Sequence, residues 1–434
     1  MMRRTVMAFF ISAAISFSSD RFTQLCNEAA ALSQQGHYDE AIHKYKAALA
    51  IRPSSPQALN NLAVMYYSAH RYADALTTAA RVWPAHREMK SAALILGMAA
   101  VQCNRPKTAL PPLENLVADD PRNRDATLAL ASAHMALGDL QKSASIYETW
   151  TRISPADADA WYGLAICYEQ LAENASRELS KAPGGAAYSK QLLGVYLHGL
   201  GDQKLADEAF GSAATLSAQQ SAPPAAAQLF QQARTFAERS EKSFESFVNL
   251  APDSWQAALF FGDVNRQHGD LTAALTSYQK AAALRPDIAA PVLGIGTVYW
   301  ELGQYDPAQK YLEDALKRNP NALQAVFELG NIAVRQHRDN GAIPLLARYL
   351  DSQPDALAAR ADLGRAYLHL AQYQKAANEL SAAAPSDERG DIHYQLSLAL
   401  RKLGRTAEAD AALLKSTQIK TEELERERRL RAQE

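Results

Sequence analysis

Seven prolines, Pro53, Pro121, Pro155, Pro252, Pro286, Pro320 and Pro354, follow one another along the chain at steps of 68, 34, 97, 34, 34 and 34. A period of 34 that returns this often describes an array of one helical hairpin, each copy too small to bury its apolar face without a neighbour. Other residues keep the same beat. Twenty-four positions before the prolines stand Ala29, Gly97, Ala131, Gln228, Gly262, Gly296 and Gly330, and twelve before them Ala41, Ala109, Ser143, Ser240, Ala274, Ala308 and Ala342. Two helices cross closely only where neither presents bulk, so these positions predict the crossing point of each hairpin. Eight before the prolines come Tyr45, Leu113, Tyr147, Phe244, Tyr278, Leu312 and Leu346, suited to filling the space between hairpins. Seventeen before come Gly36, Asn104, Gly138, Thr235, Gly269, Gly303 and His337. Gly or Asn there fits the left-handed cap that ends a first helix. The proline then stops the second helix, because it lacks an N–H and disfavours a helical residue before it.

The stretches ALSQQGHYDEAIHKYKAALAIRP (31–53), GDLTAALTSYQKAAALRP (269–286) and GTVYWELGQYDPAQKYLEDALKRNP (296–320) carry this pattern in full. On these the chain resembles the tetratricopeptide repeat (TPR) family, from about Phe22 to Thr417. Stretches 59–82, 193–214, 362–384 and 394–416 keep the pattern without the proline. The resemblance implies an all-α fold, a right-handed superhelical solenoid of about eleven or twelve helix-turn-helix repeats. Composition agrees: 48% of residues are hydrophobic but only 8% aromatic, as thin helices packed backbone to backbone require.

Four segments are expected. Residues 1–19 place Arg3 and Arg4 before an apolar stretch, Val6 to Phe17, with small residues after it, the layout of a secretory signal. The competing reading is a capping helix on Phe22 and Leu25. Residues 20–220 form an N-terminal array with a divergent unit at 156–186, and 221–420 a C-terminal array, with Pro223 and Pro224 in the loop 217–225 as the candidate hinge. The step of 97 reads as three repeats falling five short, the turn glycine being absent from WYGLAICYEQLAENASRELSKAPGG (161–185), so that its helices run together from Trp161 toward Leu179. A continuous array with a local defect is the alternative. Residues 421–434 alternate in charge and read as a solvated capping helix or tail.

The sequence carries no recognised catalytic motif. The ten histidines are scattered singly, with no HExxH, no phosphate-binding glycine loop and no nucleophile elbow. No catalytic group, cofactor or metal site is expected, and Cys26, Cys103 and Cys167 read as free buried thiols. A formal charge of −2 argues against nucleic acid as an obligatory partner, and no internal transmembrane segment is expected.

Function is therefore expected on the face that the first helices line in this family, with a protein or peptide as partner. In the N-terminal array that face comprises Asn61, Val64, Leu94, Met98, Val101, Leu128, Met135, Tyr162 and Ile166, mostly apolar and with two adaptable methionines. The C-terminal array offers Phe260, Asp263, Trp300, Phe327, Asn331, Asp362, Arg365 and Tyr394. The family's clamp for C-terminal carboxylates is not expected, since only Asn61 matches it, while Cys26, Ala30, Ser91 and Ile95 occupy its other polar positions. Two functional classes remain: a non-catalytic scaffold in the bacterial envelope that holds peptide segments or proteins, and a regulatory or substrate-delivery subunit of an enzyme complex such as polysaccharide export or glycosyl transfer.

Overall fold

Turns decide this architecture. In a computed structural model, which describes residues 20–199, 202–219 and 223–431, the turn position of hairpin after hairpin holds one residue of positive φ. Those residues are Gly36, His70, Asn104, Gly138, Gly269, Gly303, His337, Ala371 and Gly404, with φ between 54° and 81°. Glycine reaches that region without strain and asparagine readily, whereas His70, His337 and Ala371 adopt it against their preference, between helices held by packing. At the far end of each unit the repeat proline is followed two residues later by a helix start. Ser55, Asn123 and Ser254 occupy that place and accept the N–H of Ala58, Ala126 and Ala257, so the same short link stops one helix and caps the next.

The described residues form 22 α-helices and no strand. In the first unit these are α1 (20–34), α2 (Tyr38–Ile51), α3 (Pro56–Ser68), α4 (Tyr72–Ala80), α5 (Lys90–Gln102) and α6 (Pro106–Asp119). They continue as α7 (Arg124–Ala136), α8 (Leu140–Ile153), α9 (Ala158–Lys181), α10 (Gly185–Gly199), α11 (Gln203–Gln219) and α12 (Pro224–Leu250). In the second unit come α13 (Trp255–Gln267), α14 (Leu271–Leu284), α15 (Ala289–Glu301), α16 (Tyr305–Arg318) and α17 (Leu323–Arg335). It closes with α18 (Asp339–Ser352), α19 (Leu357–His369), α20 (Tyr373–Ala383), α21 (Asp391–Lys402) and α22 (Thr406–Arg431). One compact unit ends at Ala251 and the other begins at Pro252, well beyond the division expected near Ser221. The expected signal at 1–19 lies outside the described residues, as do 220–222 of the expected hinge. The charged stretch from 421 continues α22 through Arg431.

Small and large residues meet as the spacing predicts. A Cβ on Gly262 would lie 2.5 Å from the Tyr278 ring, so only glycine lets α13 seat on α14 at that distance. Ala41, Ala109, Ala274, Ala308 and Ala342 are fully buried, and Leu113, Leu312 and Leu346 fill the core beside them. First helices also pack on one another from hairpin to hairpin, α3 on α5, α5 on α7, and α13 on α15, α15 on α17, α17 on α19. The second helices show no comparable packing among themselves among the described residues, so within each unit the first helices stand on the inner side of the curve.

The segment after Pro155 departs from the expected three shortened repeats. α9 and α12 are single helices of 24 and 27 residues, packed side by side along their length. Their bases form one ordinary repeat. In the preceding hairpin Ser143 Oγ donates to the carbonyl of Ala131, twelve residues earlier; in this one Ser240 Oγ donates to the carbonyl of Ala165, 75 residues earlier. The second separation exceeds the first by the same amount as the proline step of 97 exceeds one period of 34. One hairpin has therefore been opened at its turn and drawn out by that length. Thr235, at the expected turn position, lies inside α12 for this reason. Tyr168 stacks on Phe236, and Phe230 packs on Leu179 and Tyr188, which zips the extended arm shut. At its far end α10 and α11 form a hairpin of their own, where a Cβ on Gly194 would lie 2.6 Å from the Phe210 ring.

Candidate functional site

The inner face of the first unit is built from one side of α3, α5, α7 and α9. Val64, Leu94 and Val101 are half-buried and lean on the core beneath them, as Leu128 and Met135 do one hairpin further on. Met98 and Ile166 are likewise half-buried. Together they make an apolar row that neighbouring helices cover only in part. Asn61 is exposed at one end, where its amide donates to the Tyr45 hydroxyl at 3.3 Å. Tyr162 does not join the open row: its ring meets Phe247 at 5.2 Å and Phe244 at 6.2 Å, inside the α9–α12 hairpin. Met135 turns toward α9, its sulfur 3.9 Å from Cys167 Sγ. Cys167 is buried, and burial pushes its thiol pKa up, whereas Cys26 and Cys103 are half-buried.

The corresponding face of the second unit is polar and largely satisfied from within. Asn331 and Asp362, expected to meet a partner, are buried at 5% and 4% exposure. Trp300 Nε1 donates to Asn331 Oδ1 at 2.9 Å, Asn331 Nδ2 to Asp362 Oδ2 at 2.6 Å, and Arg365 to Asp362 Oδ1 at 2.7 Å. This chain of bonds ties α15, α17 and α19 together, and its members would have to break it to reach a ligand. Thr297 donates to both carboxylate oxygens of Glu328 at 3.0 Å, and Gln324 adds a bond at 2.8 Å. Burial pushes the Glu328 carboxyl up to about 7. Asp263 is raised by burial too, although it accepts the Tyr278 hydroxyl at 2.6 Å. Phe327 packs between Trp300 and Tyr349, Phe260 lies against Phe261, and Tyr394 is exposed beneath Lys420. Arg365 keeps a quarter of its side chain in solvent, and Arg335, bonded to Asn331, is exposed.

The polar rungs share a spacing that repeat alignment does not display. Thr297 to Glu328, Trp300 to Asn331, Asn331 to Asp362, and Ser91 to Asn60 in the first unit are all 31 residues apart. A first-helix residue thus faces the residue three places earlier in the next repeat. Glu328 is legible from that separation, at which it lies from Thr297, and not from its position within one repeat.

Family models described as tetratricopeptide repeat match residues 94–158, 293–356, 328–389, 57–89 and 390–423, and one described as TPR repeat matches 30–69 and 262–303. None of these stretches enters 159–261, the segment of the drawn-out hairpin. Among curated proteins, Protein CTR9 homolog of Arabidopsis thaliana is 31% identical over 90 residues, 20% of this chain; the match spans only 8% of that protein's length. Among solved structures, MamA from Desulfovibrio magneticus RS-1 aligns with a TM-score of 0.36 and 20% identity, over 39% of this chain and 97% of that one. YrrB, described as a TPR protein with an unusual peptide-binding site, aligns with a TM-score of 0.36 and 21% identity, over 41% and 92%. Among the described residues no helix is long and apolar enough to cross a membrane.

Proposed function

The chain belongs to the tetratricopeptide repeat family, and from that premise we propose that it is a non-catalytic scaffold that receives a peptide segment on the inner face of its first unit, in the bacterial envelope. The observation that carries this reading is the half-exposed apolar row Val64, Leu94, Met98, Val101 and Leu128, running across three successive first helices with exposed Asn61 at its end. Side chains left partly uncovered on a curved face suit a segment with apolar anchors, and methionine adapts to differing anchors. The second unit is the weaker candidate, because its inner polar groups are engaged with one another. Export rests on Arg3, Arg4 and the apolar stretch from Val6 to Phe17.

The test uses the full chain expressed with its own N-terminus, recovered from envelope extract, and sequenced at its mature end. Purified protein is titrated with a peptide array beside a Leu94→Lys/Met98→Lys variant whose helicity is checked by circular dichroism. Binding of peptides with apolar anchors by the native chain, lost in the helical variant, is the expected result. Equal binding by both proteins would overturn the assignment of the face, and recovery of the uncleaved chain from the soluble cell fraction would overturn export.

A further inference from the structure

The turn between α17 and α18 differs from most others in holding a histidine where the repeat places glycine. His337 has a φ of 56°, a conformation in which glycine would be unstrained. Its ring lies 4.9 Å, centroid to centroid, from that of His369, the last residue of α19 one repeat further on. Beside them is Asp339, the first residue of α18, buried at 6% exposure, with Oδ1 3.0 Å from His369 Nδ1. One donor atom from each of the three residues lies within 4.8 Å of the others, and among the described residues no other such group of three occurs. The adjacent Arg338 sends its guanidinium to Gln309 and Gln336, so its charge is not held on the cluster.

We propose that His337, Asp339 and His369 bind a borderline divalent cation of the Zn²⁺ class and thereby clip the α17/α18 hairpin to α19. Two imidazoles and one carboxylate suit Zn²⁺, Cu²⁺ or Ni²⁺ better than Mg²⁺ or Ca²⁺, which take oxygen ligands. Zn²⁺ bonds of about 2.0–2.2 Å place tetrahedral ligand atoms roughly 3.3 Å apart. His369 and Asp339 already stand at about that separation, and rotation of the exposed His337 ring closes the remainder. Three protein ligands leave the fourth position to water. Both histidines are solvent-exposed and give the ion a path in, while the buried carboxylate anchors it. The ion would join α19 to the preceding hairpin across the same repeat-to-repeat seam that the polar rungs span.

The experiment is calorimetric titration of the chelator-treated, tag-free full chain with ZnCl₂, with MgCl₂ alongside. One tight equivalent of Zn²⁺ and none of Mg²⁺ is expected, together with a rise in the thermal midpoint on adding Zn²⁺. His337→Gly is the informative variant, since it restores the residue the turn prefers and removes one ligand without strain. It should fold at least as well as the native chain yet lose the tight equivalent and the thermal shift. His369→Ala should lose both as well, and His198→Ala, which is no member of the cluster, should keep both. Absence of tight Zn²⁺ binding in the native chain, or its persistence in folded His337→Gly, would overturn the site.

Discussion

Glu328 is a buried carboxyl of the second unit whose charge burial opposes. Its carboxyl, at 2% exposure, has three hydrogen bonds and, among the described residues, no ion pair, and it holds its proton to about 7 against an ordinary 4.5. The folded state therefore binds more protons than the unfolded chain between those values. The stability this group contributes is complete below 4.5 and is lost as pH rises through 7, by about 3 kcal/mol at most. Glu328→Gln keeps an acceptor for Thr297 and stays neutral. Between pH 5 and pH 7.5 the thermal midpoint of the native second unit is expected to fall relative to that of the variant, with no further divergence above. A constant difference between the two across that interval would refute the buried-carboxyl account. Periodicity made Asn331 and Asp362 legible as inner-face residues but not as buried ones. Inward direction follows from position within one repeat, whereas burial follows from what the neighbouring repeat supplies across the seam. His337 and His369 escaped for a similar reason: a ligand pair separated by nearly a whole repeat matches no short metal motif.

At the scale of elements, the drawn-out hairpin is the feature that sequence rendered least well. The fusion of α9 was legible in the missing turn glycine, and α10/α11 in stretch 193–214. What was not legible is that α9 pairs with α12 across the intervening hairpin, since repeat counting assigns each helix to its neighbour in sequence. The structure makes a sharp prediction for this arm. Replacing the segment 172–235 by a single glycine removes the whole of the excess length and joins Leu171 to Phe236 through an ordinary turn, leaving Ser240 in reach of the Ala165 carbonyl. The shortened chain should remain soluble and helical, with a thermal midpoint close to the native one. Aggregation or loss of helicity in α7 and α8 would mean that the arm supports the array rather than growing from it. The equally spaced hairpins α13/α14 through α19/α20, by contrast, were legible almost residue by residue, because nothing interrupts their period.

For the whole molecule, stability in such arrays is a sum of hairpin terms and nearest-neighbour seams. Each compact unit closes its own cores: Leu113 and Tyr147 lie in clusters of the first, Tyr278, Leu312, Leu346 and Leu380 in clusters of the second. Residues 252–431 produced alone should consequently fold as a helical, cooperatively melting protein. A largely unstructured fragment, by circular dichroism and amide exchange, would show that the division at Ala251 is only geometric. The drawn-out hairpin has one more consequence. Its helices leave and re-enter the stack side by side, at the roughly 8–10 Å separation of packed helices, so the far end of the arm is a ready socket. A foreign domain with neighbouring termini could be spliced there as cargo, carried on a stiff two-helix stalk, without disturbing the register of the repeats that bear it.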